Sequence, residues 1–331
     1  MNNNKHRVSI GMPVYNGENF IKEAIDSILA QTFKDFELII SDNASTDGTA
    51  EICRAYATKE QRIRYYRNEH NLGAAKNYNR VFELSSGEYF RWAAHDDVLA
   101  PELIERCVEV LDQDLSVVLC YSKAGKIDQN SALVGIYDDS EMKVDSQKPH
   151  ERFHDLISIP HICISIFGLI RASALNTTPL IASYVTSDRI LLGELSLMGR
   201  FYILPEQLFC RRYHPQALSS GAYPRLQTRL GWFDSQKAGR INFPTWRSGI
   251  EYFKAVTRAS LSWSERLLCY AQMGAWLKRQ WSGLFKDLVI AVIQPFLLTS
   301  RAGRRVLAAV KFVLRHSSMG RKVMAGFYEQ W

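Results

Sequence analysis

Along the first 125 residues, short continuous apolar runs alternate with stretches whose apolar residues recur at helical spacing. Val8-Ser9-Ile10-Gly11-Met12 is a short apolar run stopped by Pro13, after which Phe20, Ala24, Ile25, Ile28 and Leu29 mark one face of a helix. Phe36 to Ser41 reads as a buried strand ending in Asp42. Ser45-Thr46-Asp47 then offers side-chain acceptors to cap a helix running to about Tyr56. Two more pairs follow: a strand at Ile63–Tyr66 with a helix at Leu72–Leu84, and a strand at Tyr89–Ala94 with a helix at Pro101–Leu111. Val117–Tyr121 is a fifth strand. Residues 125–160 are polar and irregular, with Asp138, Asp139, Glu141 and Asp145 close together, the pattern of a functional or mobile loop. Ile164–Arg171 resumes as a strand, Ser187–Met198 as a helix, and Phe201–Tyr213 as an extended segment turning at Pro205. From Phe243 onward only helical spacing remains.

Strands and helices alternating at these lengths predict an α/β fold, a doubly wound and mostly parallel sheet with a C-terminal helical extension. Ligands of such sheets bind beyond the carboxyl ends of the strands. The residues there are Pro13-Val14-Tyr15-Asn16 after the first strand, Asp42-Asn43 after the second and His95-Asp96-Asp97 after the fourth.

Composition narrows the class. A chain of 331 residues with 47% hydrophobic and 23% charged residues can bury a large core. The net charge of +7 is uneven: residues 245–331 carry 14 Lys/Arg against 4 Asp/Glu, whereas the preceding residues carry 27 against 30. The excess therefore argues for a polyanion or anionic membrane contact at the C-terminus, and against nucleic-acid binding by the whole chain. Arg304, Lys311, Arg315 and Lys322 lie opposite Val306, Val310 and Val313 on one helical face. That suits a helix lying in a membrane interface, and equally a helix packed on the rest of the protein with its basic face in water. The apolar stretch Leu284–Leu298 includes Lys286, Asp287 and Pro295 and falls short of the roughly 20 residues a spanning helix needs. Six scattered cysteines without a C-x-x-C pair, and a polar Met1–Arg7 segment, point to reduced thiols in a cytoplasmic protein.

Asp96-Asp97 is the most informative pair. Two adjacent carboxylates at the end of a buried strand repel one another, and a hard divalent cation such as Mg²⁺ or Mn²⁺, bridging to phosphate oxygens, relieves the repulsion. Alone, the pair could equally cap the helix at Pro101. Asp42 ends the second strand, where doubly wound folds hold an acid for the ribose or base of a nucleotide; alone, it could be a turn acid. No G-x-G-x-x-G follows the first strand, which removes the phosphate loop of the nicotinamide and flavin enzymes.

Taken in order, these elements resemble the family 2 inverting glycosyltransferases, which have the GT-A fold of the nucleotide-diphospho-sugar transferases. Val8 to Glu18 is similar to their opening strand and loop. Asp42-Asn43-Ala44-Ser45-Thr46-Asp47-Gly48-Thr49 is similar to their D-[DN]-x-S-x-D-G-T element. Asn71-Leu72-Gly73 with Asn77, and Gly87-Glu88-Tyr89 running to Asp97, resemble the next two. The likeness covers about residues 7–220.

The resemblance implies a glycosyltransferase domain over 1–220 and a basic helical region over 221–331. Pro13, Tyr15 and Glu18 would line the nucleoside pocket, Asp42 would bond the base and Asp96 would touch the ribose or the metal shell. Asp97 would ligate the divalent cation. His95 stands where the family often has an Asp. Asp188, beginning the Ile190–Met198 helical run, would be the catalytic base, with Ser187 in place of the family's usual Glu; otherwise it is a helix cap. Arg211-Arg212-Tyr213-His214 with Ser219 resembles the closing R-x-H element, so that Arg212 would meet the diphosphate and His214 complete the metal site. Gly168 would leave room for sugar or acceptor. The implied reaction moves a sugar from a nucleotide-sugar donor to the hydroxyl of a glycan or lipid-linked acceptor with inversion, in cell-surface polysaccharide synthesis, on the inner face of the cell membrane. A sugar-nucleotide nucleotidyltransferase would want a Gly-rich, basic loop after the first strand, which is missing. A non-catalytic assembly scaffold would have no use for Asp96, Asp97 and Asp188.

Overall fold

A computed structural model describes residues 6–137, 142–214 and 243–289. Its first half is a run of strand–helix units: β1 (Val8–Val14), α1 (Ile21–Leu29), β2 (Phe36–Asp42), α2 (Thr49–Lys59), β3 (Ile63–Arg67), α3 (Ala74–Glu83) and β4 (Tyr89–Trp92). β3, β2, β1 and β4 lie side by side, all parallel. β1 and β2 are buried at every position, which is why they read as apolar runs rather than alternating ones. Pro13 does not stop β1. β4 has ended by that point (its last partner is Gly11, opposite Trp92), so the missing N–H of Pro13 costs no ladder bond on that side.

The second half is mixed. β5 (Val98–Leu99), α4 (Leu103–Gln113), β6 (Val117–Ile127) and β7 (Leu133–Tyr137) lead to α5 (Pro149–Ser158). A short 3₁₀ turn at Ile164–Phe167 precedes β8 (Leu169–Arg171), α6 (Ala172–Leu175), α7 (Ser187–Met198) and β9 (Arg200–Arg212). The sheet continues from β4 through β8, β6 and β9 to β5, with β7 paired to β6. β6 and β9 run parallel, while β8, β7 and β5 are antiparallel to their neighbours. The ladder shifts register where Ser122 pairs Leu204 but Lys123 pairs Gln207, so the turn expected at Pro205 is a bulge inside one long strand.

The irregular loop expected over 125–160 is largely ordered: β6 runs on to Ile127, β7 returns as a hairpin and α5 follows. Asp138, Asp139 and Glu141 lie outside the described residues, as do Ser219 and the basic tail residues Arg304, Lys311, Arg315 and Lys322. The strand expected over Ile164–Arg171 shrinks to β8 behind the 3₁₀ turn. All six cysteines are free thiols, five of them buried. Among the described residues no helix is long and apolar enough to cross a membrane.

Two helices of the C-terminal region, α8 (Pro244–Arg258) and α9 (Trp263–Arg279), close a second apolar cluster on α5 and α7. Tyr252 stands edge-on to Phe153 and to Trp276, with ring centroids 5.9 and 5.7 Å away, and its ring lies over Gly193 of α7. Arg258 grips the fully buried Glu194 of α7 through two 2.8 Å bonds. Ser262 caps α9 by accepting from Glu265 N. The carboxylate of Asp287, in the helical segment 281–289, accepts from Thr245 N and Trp246 N at the start of α8.

Removing the guanidinium in Arg258→Ala strands Glu194 in the joint between α7 and α8. Loss of one partner of a buried pair costs several kcal/mol, and the half-exposed position of Arg258 reduces that, so urea unfolding should lose about 2 kcal/mol relative to the unaltered chain.

Candidate active site

The site forms where β4 ends. Immediately after Asp96-Asp97, β5 pairs with β9, Val98 opposite Cys210 and Leu99 opposite Phe209. This short ladder brings the end of β9 alongside the two carboxylates from more than a hundred residues away. Arg212 N donates to Asp97 Oδ1 at 2.9 Å, and Arg212 Nε donates to the Asp96 carbonyl at 2.8 Å. His214 Nε2 lies 3.0 Å from Asp96 Oδ2. Phe20, just before α1, packs on both, 4.6 Å from the His214 ring and 4.8 Å from the Arg212 guanidinium.

The two carboxylates titrate in opposite directions. Burial, and then the charge of Asp96, push the Asp97 carboxyl above the ordinary carboxylate range, against the pull of the Arg212 N–H, Arg211 and Arg91. Burial also works to raise Asp96, but the His214 hydrogen bond and the charges of His95 and His214 outweigh it and hold Asp96 low. An ionised Asp96 only accepts, so His214 Nε2 carries the proton of that bond. Half-buried Tyr78 registers the same cluster: burial first, then Asp96, Asp97 and Asp188, raise its hydroxyl against the pull of Arg211. The first turn of α7 thus faces the same ground as the end of β4. Asp188 itself is half-buried, behind Thr186 in the left-handed region (φ 79°), and its Oδ1 accepts from Arg189 N.

The loops after β1 and β2 interlock. Asn16 N donates to Ser45 Oγ, and Asn16 Oδ1 accepts from Thr46 N. Gly17 N donates to Thr49 Oγ1, Glu18 N to Asp47 Oδ2 and Gly48 N to Glu18 Oε2. Ser45 Oγ therefore serves the first loop, whereas Asp47 serves both: its Oδ2 accepts from Glu18 N and its Oδ1 from Thr49 N at the start of α2. Below them Asn43, Asn68, Asn71 and Asn77 form a chain of amide bonds that also holds Leu72 N and Gly73 N. Gly73 has φ 83° and ψ 157°, a conformation open in practice only to glycine. Pro13 is buried beneath this loop, whereas Tyr15 is 45% exposed at its rim.

Several expected roles change. Arg212 is 1% exposed, and its guanidinium is spent on Asp96 O, Asp128 O, Ser131 Oγ and Glu23 Oε2, so it braces the site from within rather than meeting a diphosphate. Gly168 leaves no room for a sugar: a Cβ there would lie 2.8 Å from the Cys120 carbonyl and 2.8 Å from Leu119 Cδ2, so close packing on β6 requires the glycine. Asp42 is fully buried, accepting from Ser45 N and the Tyr65 hydroxyl with Arg67 Nε at 3.5 Å. A base can reach it only if Tyr65 or Arg67 moves aside. His214 stands on Asp96 through Nε2, and its buried Nδ1 finds no partner among the described residues. Glu23, Asp128 and Ser131, which anchor Arg212, carry no sequence signal of that role, because nothing local ties them to β9.

Among the described residues no three His, Cys, Asp or Glu side chains converge as a metal cage. The donor set fits the other habit of Mg²⁺ and Mn²⁺, in which one or two carboxylates hold the ion and substrate phosphates complete it. Asp97, buried beside the charge of Asp96, is the carboxyl that would hold such an ion on losing its proton.

The family described as Glycosyl transferase family 2 matches residues 9–176. An uncharacterized glycosyltransferase of Rickettsia typhi is 36% identical over 177 residues, 53% of this chain and 50% of that protein. Glycosyltransferase GlyG of Streptococcus pneumoniae is 33% identical over 113 residues, 34% of this chain and 38% of GlyG. The chain spans about half the length, or less, of these curated relatives. Among solved structures, residues 1–349 of S. aureus TarS in complex with UDP superpose with TM-score 0.59 at 18% identity, covering 83% of this chain and 72% of TarS. The mannosyltransferase PcManGT of Pyrobaculum calidifontis, in complex with GDP-Man and Mn²⁺, superposes with TM-score 0.55 at 16% identity, covering 98% and 85%. At these identities the likeness is one of fold.

Two outcomes follow from the site's packing and charge. Gly168→Ala should lose about 1–3 kcal/mol in urea unfolding, because the β6 backbone cannot yield. Asp97→Asn should be more stable than the unaltered chain in metal-free buffer at pH 8, by about 1–3 kcal/mol. A carboxyl raised in the folded state loses stability as pH climbs past its unfolded value, so the gap should close toward pH 4.

Proposed function

The chain belongs to glycosyl transferase family 2, and from that premise we propose that it transfers a sugar from a nucleoside diphosphate sugar to an acceptor hydroxyl with inversion, in the synthesis of a cell-surface polysaccharide. The observation that carries this reading is the Asp96-Asp97 pair, Asp97 buried and Asp96 partly so, beside interlocked loops at the carboxyl edge of the parallel strands. The nucleoside would lie against Pro13, Tyr15 and Glu18, and its base would approach Asp42 as Arg67 swings out. TarS in complex with UDP and with UDP-GlcNAc, and PcManGT with GDP-Man and Mn²⁺, support a nucleotide sugar as the donor class.

Asp97 would hold a divalent ion together with the diphosphate oxygens, and the ion when bound would supply charge stabilisation for the departing diphosphate. Asp96, kept ionised by His214, would accept a ribose hydroxyl. Arg211, which acts electrostatically on Asp97 and Tyr78, is better disposed than Arg212 to face phosphate charge. Asp188 would take the acceptor proton as the acceptor oxygen attacks the anomeric carbon from the face opposite the leaving group. One such displacement inverts the configuration without a covalent sugar–enzyme intermediate. The basic charge of residues 245–331 extends the proposal to an acceptor, glycan or lipid-linked, held at an anionic membrane surface.

Calorimetric titration with UDP-, dTDP- and GDP-sugars, with Mg²⁺ or Mn²⁺ and then with a chelator, should give metal-dependent binding of one nucleotide class that Asp97→Asn abolishes. Asp188→Asn should retain that binding while turnover falls about 10²- to 10⁴-fold. Full turnover in both variants would remove the assignment.

A further inference from the structure

The outward faces of α8 and α9 are apolar where a solvated surface would be polar. On α8, Trp246, Ile250 and Phe253 recur at four- and three-residue spacing on the side opposite the buried Tyr252, Ala255 and Val256, and are 40%, 52% and 53% exposed. On α9 and the segment 281–289, Trp263, Leu267, Leu277, Trp281 and Phe285 continue a single stripe at spacings that keep one helical face, while Cys269, Met273 and Trp276 point into the cluster. Trp263 is 82% exposed and Trp281 68%. The two stripes join: Phe253 stacks on Tyr270 at 5.1 Å, Trp246 Nε1 donates to Leu284 O, and Trp281 stacks on Phe285 at 6.3 Å.

We propose that this joined face of α8, α9 and residues 281–289 is a membrane-docking surface that lies in the interface of an anionic bilayer. Its chemistry is that of an interfacial helix: aromatic rings and leucines on one side, cations flanking them, and, among the described residues, no helix able to span. Residues 243–289 carry seven Lys/Arg against three Asp/Glu. Each of the three acids is engaged: Glu251 with Lys254, Glu265 with His150, and buried Asp287 with the backbone of α8. Arg266 lies 5.9 Å over the Trp263 ring and donates to the Thr257 and Ala259 carbonyls, which leaves its positive charge at the most exposed aromatic. With Arg258 neutralised by Glu194, six cations still face three acids, so the surface is apolar and net positive. A second copy would bring two positive faces together, whereas anionic headgroups neutralise one. The proposal adds a specific surface to the membrane part of the function above. Its test uses no sugar transfer, so either can fail without the other.

The experiment is flotation of the full chain with vesicles of phosphatidylcholine plus phosphatidylglycerol, against phosphatidylcholine alone. Quenching of tryptophan fluorescence by brominated lipid and sedimentation equilibrium run alongside. The unaltered chain should float with the anionic vesicles and show quenched fluorescence. The triple variant Trp263→Ser, Leu267→Ser, Trp281→Ser should bind at least about tenfold more weakly, with unchanged far-ultraviolet dichroism because all three side chains are exposed. The separate variant Arg266→Glu, Lys278→Glu should lose binding to the anionic vesicles without loss of the aromatic face. Absence of flotation by the unaltered chain, or binding by the triple variant within about twofold of it, overturns the proposal. So does an unaltered dimer that the triple variant dissociates while vesicle binding stays the same, since the face then belongs to a second copy.

Discussion

Two adjacent carboxylates held at the dry end of a central strand set the terms for the rest of the molecule. Taking an ion out of water costs several kcal/mol even after relaxation, and a like charge next to it adds to that. The protein meets the cost unequally. Asp96 receives His214 and stays ionised, while Asp97 receives one backbone N–H and is left short of positive charge. That asymmetry is what a site for a cation needs, because a fully neutralised pair would have nothing left to offer one. The fold is arranged to produce it. β5 is two residues long, yet it fixes the register that lays Arg212 and His214 against Asp96 and Asp97. Arg212 then spends its guanidinium on Glu23, Asp128, Ser131 and the Asp96 carbonyl, tying α1 and the β6–β7 connection to the same point.

The proposed nucleoside side of the site is organised by hydrogen bonds between two loops, among them bonds from Glu18 N to Asp47 and from Gly48 N to Glu18. The loop after β1 and the loop after β2 exchange donors and acceptors along Asn16, Gly17, Glu18, Ser45, Thr46, Asp47, Gly48 and Thr49, so neither is free to collapse into the cleft. A ligand meeting loops already held by each other avoids most of the entropy of ordering them. Tyr65 and Arg67 on Asp42 are the exception, since they occupy the carboxylate that a base would want.

Local pattern carried the first half of the fold and, in the second, α4, the start of β6, α7 and β9. The parallel strands β1, β2 and β4 are buried on both faces, so apolar runs announce them, and the residues that follow them fall at the cleft by topology alone. β5 and β8 are short and exist because of partners far away in the chain, and no local periodicity marks a two- or three-residue strand. α5 is hidden because six of its ten residues are charged or polar, with Arg152 and Asp155 buried against backbone outside the helix. At the site, the residue types of Asp96, Asp97, Asp188 and His214 were legible, but their partners were not. The difference matters most at Arg212 and Gly168, where an arginine and a glycine in suggestive positions are committed to the interior. A residue type says what a side chain can do; only its neighbours say whether it is still free to do it.

α7 joins the two ends of the molecule. Its first turn carries Asp188 toward the cleft, and its later turns carry Ile190, Gly193, Glu194 and Leu197 against α8 and α9. Gly193 lets the Tyr252 ring approach closely, and the Glu194–Arg258 bonds fix rotation about that contact. The C-terminal helices are thus packed on the element that bears the candidate base, and the segment 281–289 caps the start of α8 through Asp287. Helices in contact stand about 10 Å apart, axis to axis, so an acceptor anchored on the outer side of α8 has only one helical layer to pass before it reaches α7. The proposed docking face and the candidate base Asp188 would then be separated by one helical layer. A tethered acceptor searches such a distance at high effective concentration, without any flexible linker in the protein.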